Sequence, residues 1–277
     1  MDVLVTADWL AARIEEPQLR IVDCRFELGD PPAGRALYRA GHIPGAVFLD
    51  LDDDLSAPPG APDRADPRGP VGGRHPLPQL DRFAAAVRGA GIGRGTTVVA
   101  YDQAMTGGAA RLWWLLRHHG FDAVAVLDGG IAAWDGPLRE GDEPVAPGDV
   151  ALGPPRDDVL DAAELLASAR ERIVVDVRAP ERFRGELEPV DPVAGHLPGA
   201  RNVPLQHAFD PPAELLASDR EIVAYCGSGV SACVLLLGLA AAGRRDAKLY
   251  PGSWSDWVAR GLPVERGAGA SPSDGGG

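Results

Sequence analysis

The stretch Tyr225-Cys226-Gly227-Ser228-Gly229-Val230-Ser231-Ala232 contains the residue types most directly suited to chemistry. Its thiol follows a short apolar run (residues 222–225) and precedes an apolar pattern of helical length (231–242). The two glycines allow the backbone to curl and turn several N–H groups inward. The following helix start adds its own preference for negative charge at the centre of the curl. A cysteine there is predicted to exist largely as thiolate, the reactive form. The same cradle would hold a persulfide, whose charge lies one atom farther out. Gly227, Gly229, Val230 and Ser231 are therefore candidates for contact with a bound substrate, and Ser231 is expected to cap the helix and donate from its hydroxyl.

The other cysteines do not compete with Cys226. Cys233 falls inside the apolar helix, and Cys24 ends an early strand with no glycine or base beside it, so both read as core residues. Three cysteines without paired spacing suit neither a disulfide framework nor a zinc site. The chemistry thus calls for no metal and no organic cofactor, and a reducing, cytoplasmic setting is expected. The start Met1-Asp2-Val3-Leu4-Val5-Thr6 lacks the basic and apolar regions of a signal peptide, and no apolar run is long enough to span a bilayer. A net charge of −13 argues against nucleic acid as a partner but leaves room for a small anion gripped locally. A cysteine phosphatase would need a longer loop closed by an arginine, and Ala232 and Cys233 follow Ser231 instead.

The elements that position Cys226 occur twice. Residues 21–25 (Ile-Val-Asp-Cys-Arg) are answered by 174–178 (Val-Val-Asp-Val-Arg), and Gly41-His42-Ile43-Pro44-Gly45-Ala46 by Gly195-His196-Leu197-Pro198-Gly199-Ala200. Residues 98–102 (Val-Val-Ala-Tyr-Asp) match 222–226 (Ile-Val-Ala-Tyr-Cys), and 129–134 match 252–257. Four blocks in one order indicate a duplicated domain. Short apolar runs at 20–22, 97–101, 123–127, 173–177 and 222–225 read as buried strands. They alternate with helical patterns such as 109–119 and 231–242, the latter stopped by Gly243. The expected architecture is α/β: two tandem domains, each a parallel sheet with helices on both faces. The expected boundaries are 1–140 and 156–266, with a Gly/Pro/acid-rich linker at 141–155 and a disordered tail at 267–277. The first copy carries an insertion, roughly 52–81, because His42 lies 59 positions before Tyr101 whereas His196 lies 29 before Tyr225. Its Arg74 and His75 are expected near the site, against the rival reading of a solvated loop.

With the Asp-x-Arg strand ends, both Gly-His-x-Pro-Gly-Ala signatures, the Cys226 loop and Gly252-Ser253-Trp254-Ser255-Asp256-Trp257, the chain resembles the tandem-domain rhodanese-type sulfurtransferases from about residue 6 to 265. The resemblance implies two rhodanese-like domains, a first copy silenced by Asp102, and sulfur transfer through a Cys226 persulfide. The donor would be 3-mercaptopyruvate or thiosulfate and the acceptor cyanide or a thiol such as thioredoxin. The loop is similar to that of 3-mercaptopyruvate sulfurtransferases, which usually have Thr at the position of Ser231; thiosulfate-preferring relatives carry basic residues after the cysteine, and this loop has none. Thiosulfate:cyanide transfer is the alternative activity, and a non-catalytic sulfur carrier a third. Arg182 matches the family position that grips the donor's acid group. His42, Ser228 and, by approximate match, Asp30 correspond to a hydroxyl–imidazole–carboxylate relay proposed for mercaptopyruvate enzymes. Two departures stand out: Asp191 sits roughly where a second donor-gripping Arg is usual, and Pro251 where an acid often precedes Gly-Ser-Trp.

Overall fold

A computed structural model of the chain describes residues 2–60 and 73–269. The described residues pack as two compact units, one from residues 2–57 and 77–156, the other from 58–60, 73–76 and 157–269. In the first, β1 (Leu4–Val5), β2 (Leu19–Asp23), β3 (Ala46–Phe48), β4 (Thr97–Tyr101) and β5 (Val124–Leu127) form one sheet in the order β1-β5-β4-β2-β3. In the second, β6 (Ile173–Asp176), β7 (Arg201–Asn202), β8 (Ile222–Tyr225) and β9 (Lys248–Leu249) form a sheet in the order β7-β6-β8-β9. All pairings are parallel. Parallel strands covered by helices bury both faces, which is why β4 and β8 read as continuous apolar runs rather than alternating ones. Val98–Tyr101 and Ile222–Tyr225 are all fully buried.

The helix after β4 is Gly108–His118 and the one after β8 is Ala232–Ala241; Gly243 then adopts φ +93° and ends it. The second of these helices is buried almost all round, which sets β8 and its following loop in a rigid frame.

The same polar network recurs in both units. Arg25 makes a bidentate contact to Asp23 (3.1, 2.9 and 2.6 Å) and donates to the Gly41 carbonyl at 2.7 Å. Tyr101 completes it, donating to Asp23 at 2.8 Å and accepting from the Ile43 N–H at 3.3 Å. In the second unit Arg178 grips Asp176 and donates to the Gly195 carbonyl at 2.6 Å, and the Tyr225 hydroxyl accepts from the Leu197 N–H at 3.1 Å. Each network ties a strand end to the Gly-His-x-Pro-Gly turn. Both tyrosine hydroxyls are pushed well up, first by burial and then by the adjacent aspartate.

The boundaries differ from those expected in three places. Residues 141–155 are not a free linker: the Gly148 N–H bonds the Arg88 carbonyl at 2.8 Å, the Val150 N–H bonds Ile92 at 3.2 Å, and Asp149 accepts from the Arg94 N–H at 2.8 Å, all within the first unit. Residues 58–60 and 73–76 of the insertion pack with the second unit, and 52–57 and 77–81 with the first; residues 61–72 lie outside the described residues. In the expected tail, the Gly267 N–H bonds the Arg184 carbonyl at 3.0 Å and Gly269 lies against Phe183, so the ordered chain runs at least to 269. Among the described residues no helix is long and apolar enough to cross a membrane.

Candidate active site

Cys226 stands directly after β8, its backbone fixed on both sides. Its N–H donates to the Ser253 hydroxyl at 3.1 Å, and its carbonyl accepts from the Trp254 N–H at 3.0 Å. Ser253 takes a left-handed φ of +56°, a strained value for a residue with a side chain, and its hydroxyl also donates to the Tyr250 carbonyl at 3.0 Å. The Gly252-Ser253-Trp254 motif thus serves as the wall that holds the cysteine loop. The loop then curls as the glycines predicted: Gly229 adopts φ +79°, and a Cβ there would lie 2.4 Å from the Pro251 carbonyl oxygen. The Gly229 N–H turns inward and donates to the Cys226 sulfur at 3.1 Å. Cys226 itself is 1% exposed.

The first copy shows the same loop holding a different group. Asp102 follows β4 as Cys226 follows β8, and its carboxylate accepts from the N–H groups of Thr106 (3.1 Å), Gly107 (2.9 Å) and Ala109 (3.2 Å). The cradle is therefore an anion site by construction.

Ser228, buried beside the cysteine, pairs with a histidine, but not the one expected. His75 Nδ1 lies 2.7 Å from the Ser228 oxygen. His42 is fully buried in the first unit, its Nδ1 2.9 Å from the Tyr38 carbonyl and its ring stacked on Tyr38 at 4.2 Å. A ring committed to the preceding helix in this way braces the turn, and within the second unit the histidine on Ser228 is His75. His196 does the same in the second unit, with Nδ1 2.8 Å from the Phe183 carbonyl and the ring stacked on Phe183 at 3.8 Å. Asp30 is corrected too: it lies exposed in a turn, and the carboxylate nearest His42 is Glu143, at 3.6 Å from Nε2. Ser231 occupies the N-cap position of its helix with helical φ and ψ and makes no side-chain capping bond, so its capping role is not realised.

Arg182 reaches the loop. Its guanidinium lies about 3.9 Å from where a side chain on Gly227 would begin, and it is held from behind by Glu188 (2.6 and 3.1 Å) and Asp191 (3.3 Å). Arg74 reaches the same point more closely, its Nη2 2.8 Å from that position, while its Nη1 pairs with Asp191. Burial pushes the Asp191 carboxyl up, against the pull of Arg74 and Arg182. Burial also pushes Glu188 up, but hydrogen bonds from Arg182 and the Asp191 and Val190 amides outweigh it and hold this carboxyl below its usual range. Val230 and Gly227 are buried in the loop. Cys24 is inert by contrast: burial, then the nearby charges of Asp23, Asp102 and Asp54, push its thiol well up. No cluster of metal-ligating side chains exists among the described residues.

The signals for His75 and Arg74 were present in the sequence as an Arg-His-Pro step closing the insertion. What the sequence could not give was the contact, which joins positions 153 apart.

Comparison with known proteins agrees with this geometry. The Rhodanese-like domain family matches residues 6–136 and again 159–260. A Pseudomonas aeruginosa protein named "Probable 3-mercaptopyruvate sulfurtransferase" is 44% identical over 92% of this chain and 94% of its own length. A Mycobacterium tuberculosis protein provisionally named thiosulfate sulfurtransferase SseB is 40% identical over 92% and 93%. Among solved structures, SseA from Escherichia coli, described as a 3-mercaptopyruvate sulfotransferase, aligns with a TM-score of 0.73 and 32% identity, covering 92% of this chain and 100% of that one. The duplicated sheets, the cysteine in an amide cradle and these relatives lead to one conclusion: the chain belongs to the rhodanese family, as a tandem-domain sulfurtransferase.

Proposed function

We propose that the enzyme takes sulfur from 3-mercaptopyruvate onto Cys226 and passes it to a thiol acceptor. The observation that carries this reading is the Ser228–His75 pair, 2.7 Å apart, in the loop of Cys226. Thiosulfate breaks its S–S bond and releases sulfite, an already stable anion. Mercaptopyruvate instead breaks a C–S bond and leaves an enolate, which needs a hydrogen-bond donor at its oxygen and a proton at carbon. A serine hydroxyl backed by an imidazole supplies that service.

In the first half-reaction the Cys226 sulfur attacks the donor's thiol sulfur, an S–S bond forms, and the C–S electron pair enters the keto acid as its enolate. The Ser228 hydroxyl stabilises the enolate oxygen, and a proton delivered to the methylene carbon yields pyruvate. Arg182 holds the donor carboxylate. The Cys226 persulfide remains, its charge supported by the Gly229 N–H and the loop. In the second half an acceptor thiolate attacks the outer sulfur and restores Cys226. Burial of Cys226 shields the persulfide from water and oxidants. Thioredoxin is the acceptor that fits a cytoplasmic setting, and cyanide serves in assays.

Mass spectrometry after donor treatment tests the reading. Wild-type protein gains the mass of one sulfur atom at Cys226 with 3-mercaptopyruvate, and Cys226→Ser gains none. Full sulfur transfer by Cys226→Ser would sink the mechanism. A higher kcat/KM for thiosulfate than for 3-mercaptopyruvate would reverse the donor assignment.

A further inference from the structure

Two guanidinium groups converge on Gly227, but only one belongs to the stretch where an anion-binding arginine was expected. Arg182 has spent Nε and Nη2 on Glu188 and Asp191. That leaves Nη1 for a ligand, which is too little to grip both oxygens of a carboxylate. Arg74 has spent only Nη1, on Asp191. Its Nη2 stands 2.8 Å from the point where a Gly227 side chain would start, and its Nε is buried with no hydrogen-bond partner among the described residues. A buried N–H on a charged group left without an acceptor is costly, and such a gap marks where a ligand oxygen fits. The backbone of Arg74 is fixed as well, through its N–H to the Ser255 hydroxyl at 3.2 Å, and its neighbour His75 is held by Ser228.

Asp191 connects the two arginines: one carboxylate oxygen takes Arg74 and the other takes Arg182. An acid at this position looks, in sequence, like a charge that would repel an anionic donor. In the structure it is mostly buried behind the guanidiniums, with a side chain 4% exposed, and fixes them side by side with their remaining N–H groups free. Gly227 leaves the space in front of them empty, since any larger residue there would meet Arg74.

We propose that Arg74 is the second anion-holding group of this site and, paired with Arg182 across Asp191, selects a donor that carries a carboxylate beside its transferable sulfur. The inference rests on the reading that Cys226 takes sulfur from an α-keto acid thiol, and it assigns donor choice to a residue of the insertion. Arg74 takes no part in bond making; its effect is confined to binding and orientation of the acid group.

Calorimetric titration of Cys226→Ser protein with 3-mercaptopyruvate and with its methyl ester separates charge recognition from sulfur chemistry. Adding Arg74→Gln weakens binding of the acid about tenfold or more and leaves the ester within about twofold, the size expected for a hydrogen bond to a charged group. Arg74→Lys recovers part of the loss, because it keeps the charge without the fork. Unchanged acid binding in Arg74→Gln overturns the proposal. So does an equal loss for acid and ester, which would mean that Arg74 only supports His75, and so does the absence of acid binding in the Cys226→Ser parent. Sulfur loading of otherwise wild-type protein is read separately. If Arg74 governs acid binding while Cys226 gains no sulfur, the sulfur-transfer reading fails and the clamp stands; if Arg74→Gln loads Cys226 with unchanged kcat/KM, the clamp fails and the reading stands.

Discussion

In the proposed reaction, Ser228 and His75 divide the chemistry into a part that depends on the donor and a part that does not. Removing the proton-handling pair leaves the cysteine and its cradle intact, so the loss should follow the leaving group. Ser228→Ala or His75→Ala is expected to lower kcat for 3-mercaptopyruvate by about a hundredfold or more, the range for a positioned acid–base pair, and to affect thiosulfate far less. Steady-state kinetics with both donors checks this, and equal losses would count against the assignment. Cys226 and Arg182 were legible because each sits within a local pattern: a strand end before Gly-x-Gly, and a motif position of known use. His75 was expected near the site as part of the insertion, but its pairing with Ser228 was not legible, since nothing local distinguishes an Arg-His-Pro step in a loop, whereas His42, in a conspicuous signature, attracted the role. Its buried ring, bonded to its own helix, shows that the signature codes for a turn.

At the scale of elements, two segments carry measurable consequences. One is the stretch after residue 140, which read as a linker because it lacks periodicity; its hydrogen bonds to neighbouring loops carry no periodic signal. Glu143 within it accepts from the Gly45 N–H at 3.2 Å and lies beside His42 and Arg139. Burial pushes its carboxyl up, but these partners outweigh it and hold it below the ordinary 4.5. A depressed carboxyl stabilises the fold above its unfolded value, and the benefit disappears as pH falls through the lower, folded value. Wild-type protein should therefore exceed Glu143→Gln in urea stability at neutral pH, with the gap closing as pH drops below 4.5. A gap that widens in acid would reverse the sign and refute the assignment. The other segment is the turn at Gly229. Alanine there meets both an unfavourable φ and the Pro251 carbonyl, so Gly229→Ala should cost about 1–3 kcal/mol or more and lower sulfur loading of Cys226. A thermal melt and the mass assay read the two effects.

Across the whole molecule, the duplication was legible because four blocks recur in order, and parallel sheets followed from apolar runs alternating with helical patterns. The division into units was less so. Residues 58–60 and 73–76 of the insertion belong by sequence to the first copy and by packing to the second, and packing of that kind leaves no trace in composition. The loop of the first copy also has a measurable role in stability. Asp102→Asn replaces an ionised acceptor of three N–H groups by a weaker neutral one, and is expected to lower stability by about 1–3 kcal/mol while kcat/KM for 3-mercaptopyruvate is kept. Denaturation curves and steady-state rates on one sample decide it, and unchanged stability would mean that the cradle gains nothing from the carboxylate.

The Asp102 cradle also acts as a ratchet. A carboxylate tethered in the first loop fills, permanently and intramolecularly, the place that the second loop keeps for a transient sulfur anion. A cysteine at 102 would exchange a filled anion hole for one that is charged only when the thiol ionises or carries sulfur. The resting protein would lose stability before any second reaction centre could benefit it. The two loops thus share one cradle, which a fixed carboxylate fills in the first copy and a cysteine sulfur in the second.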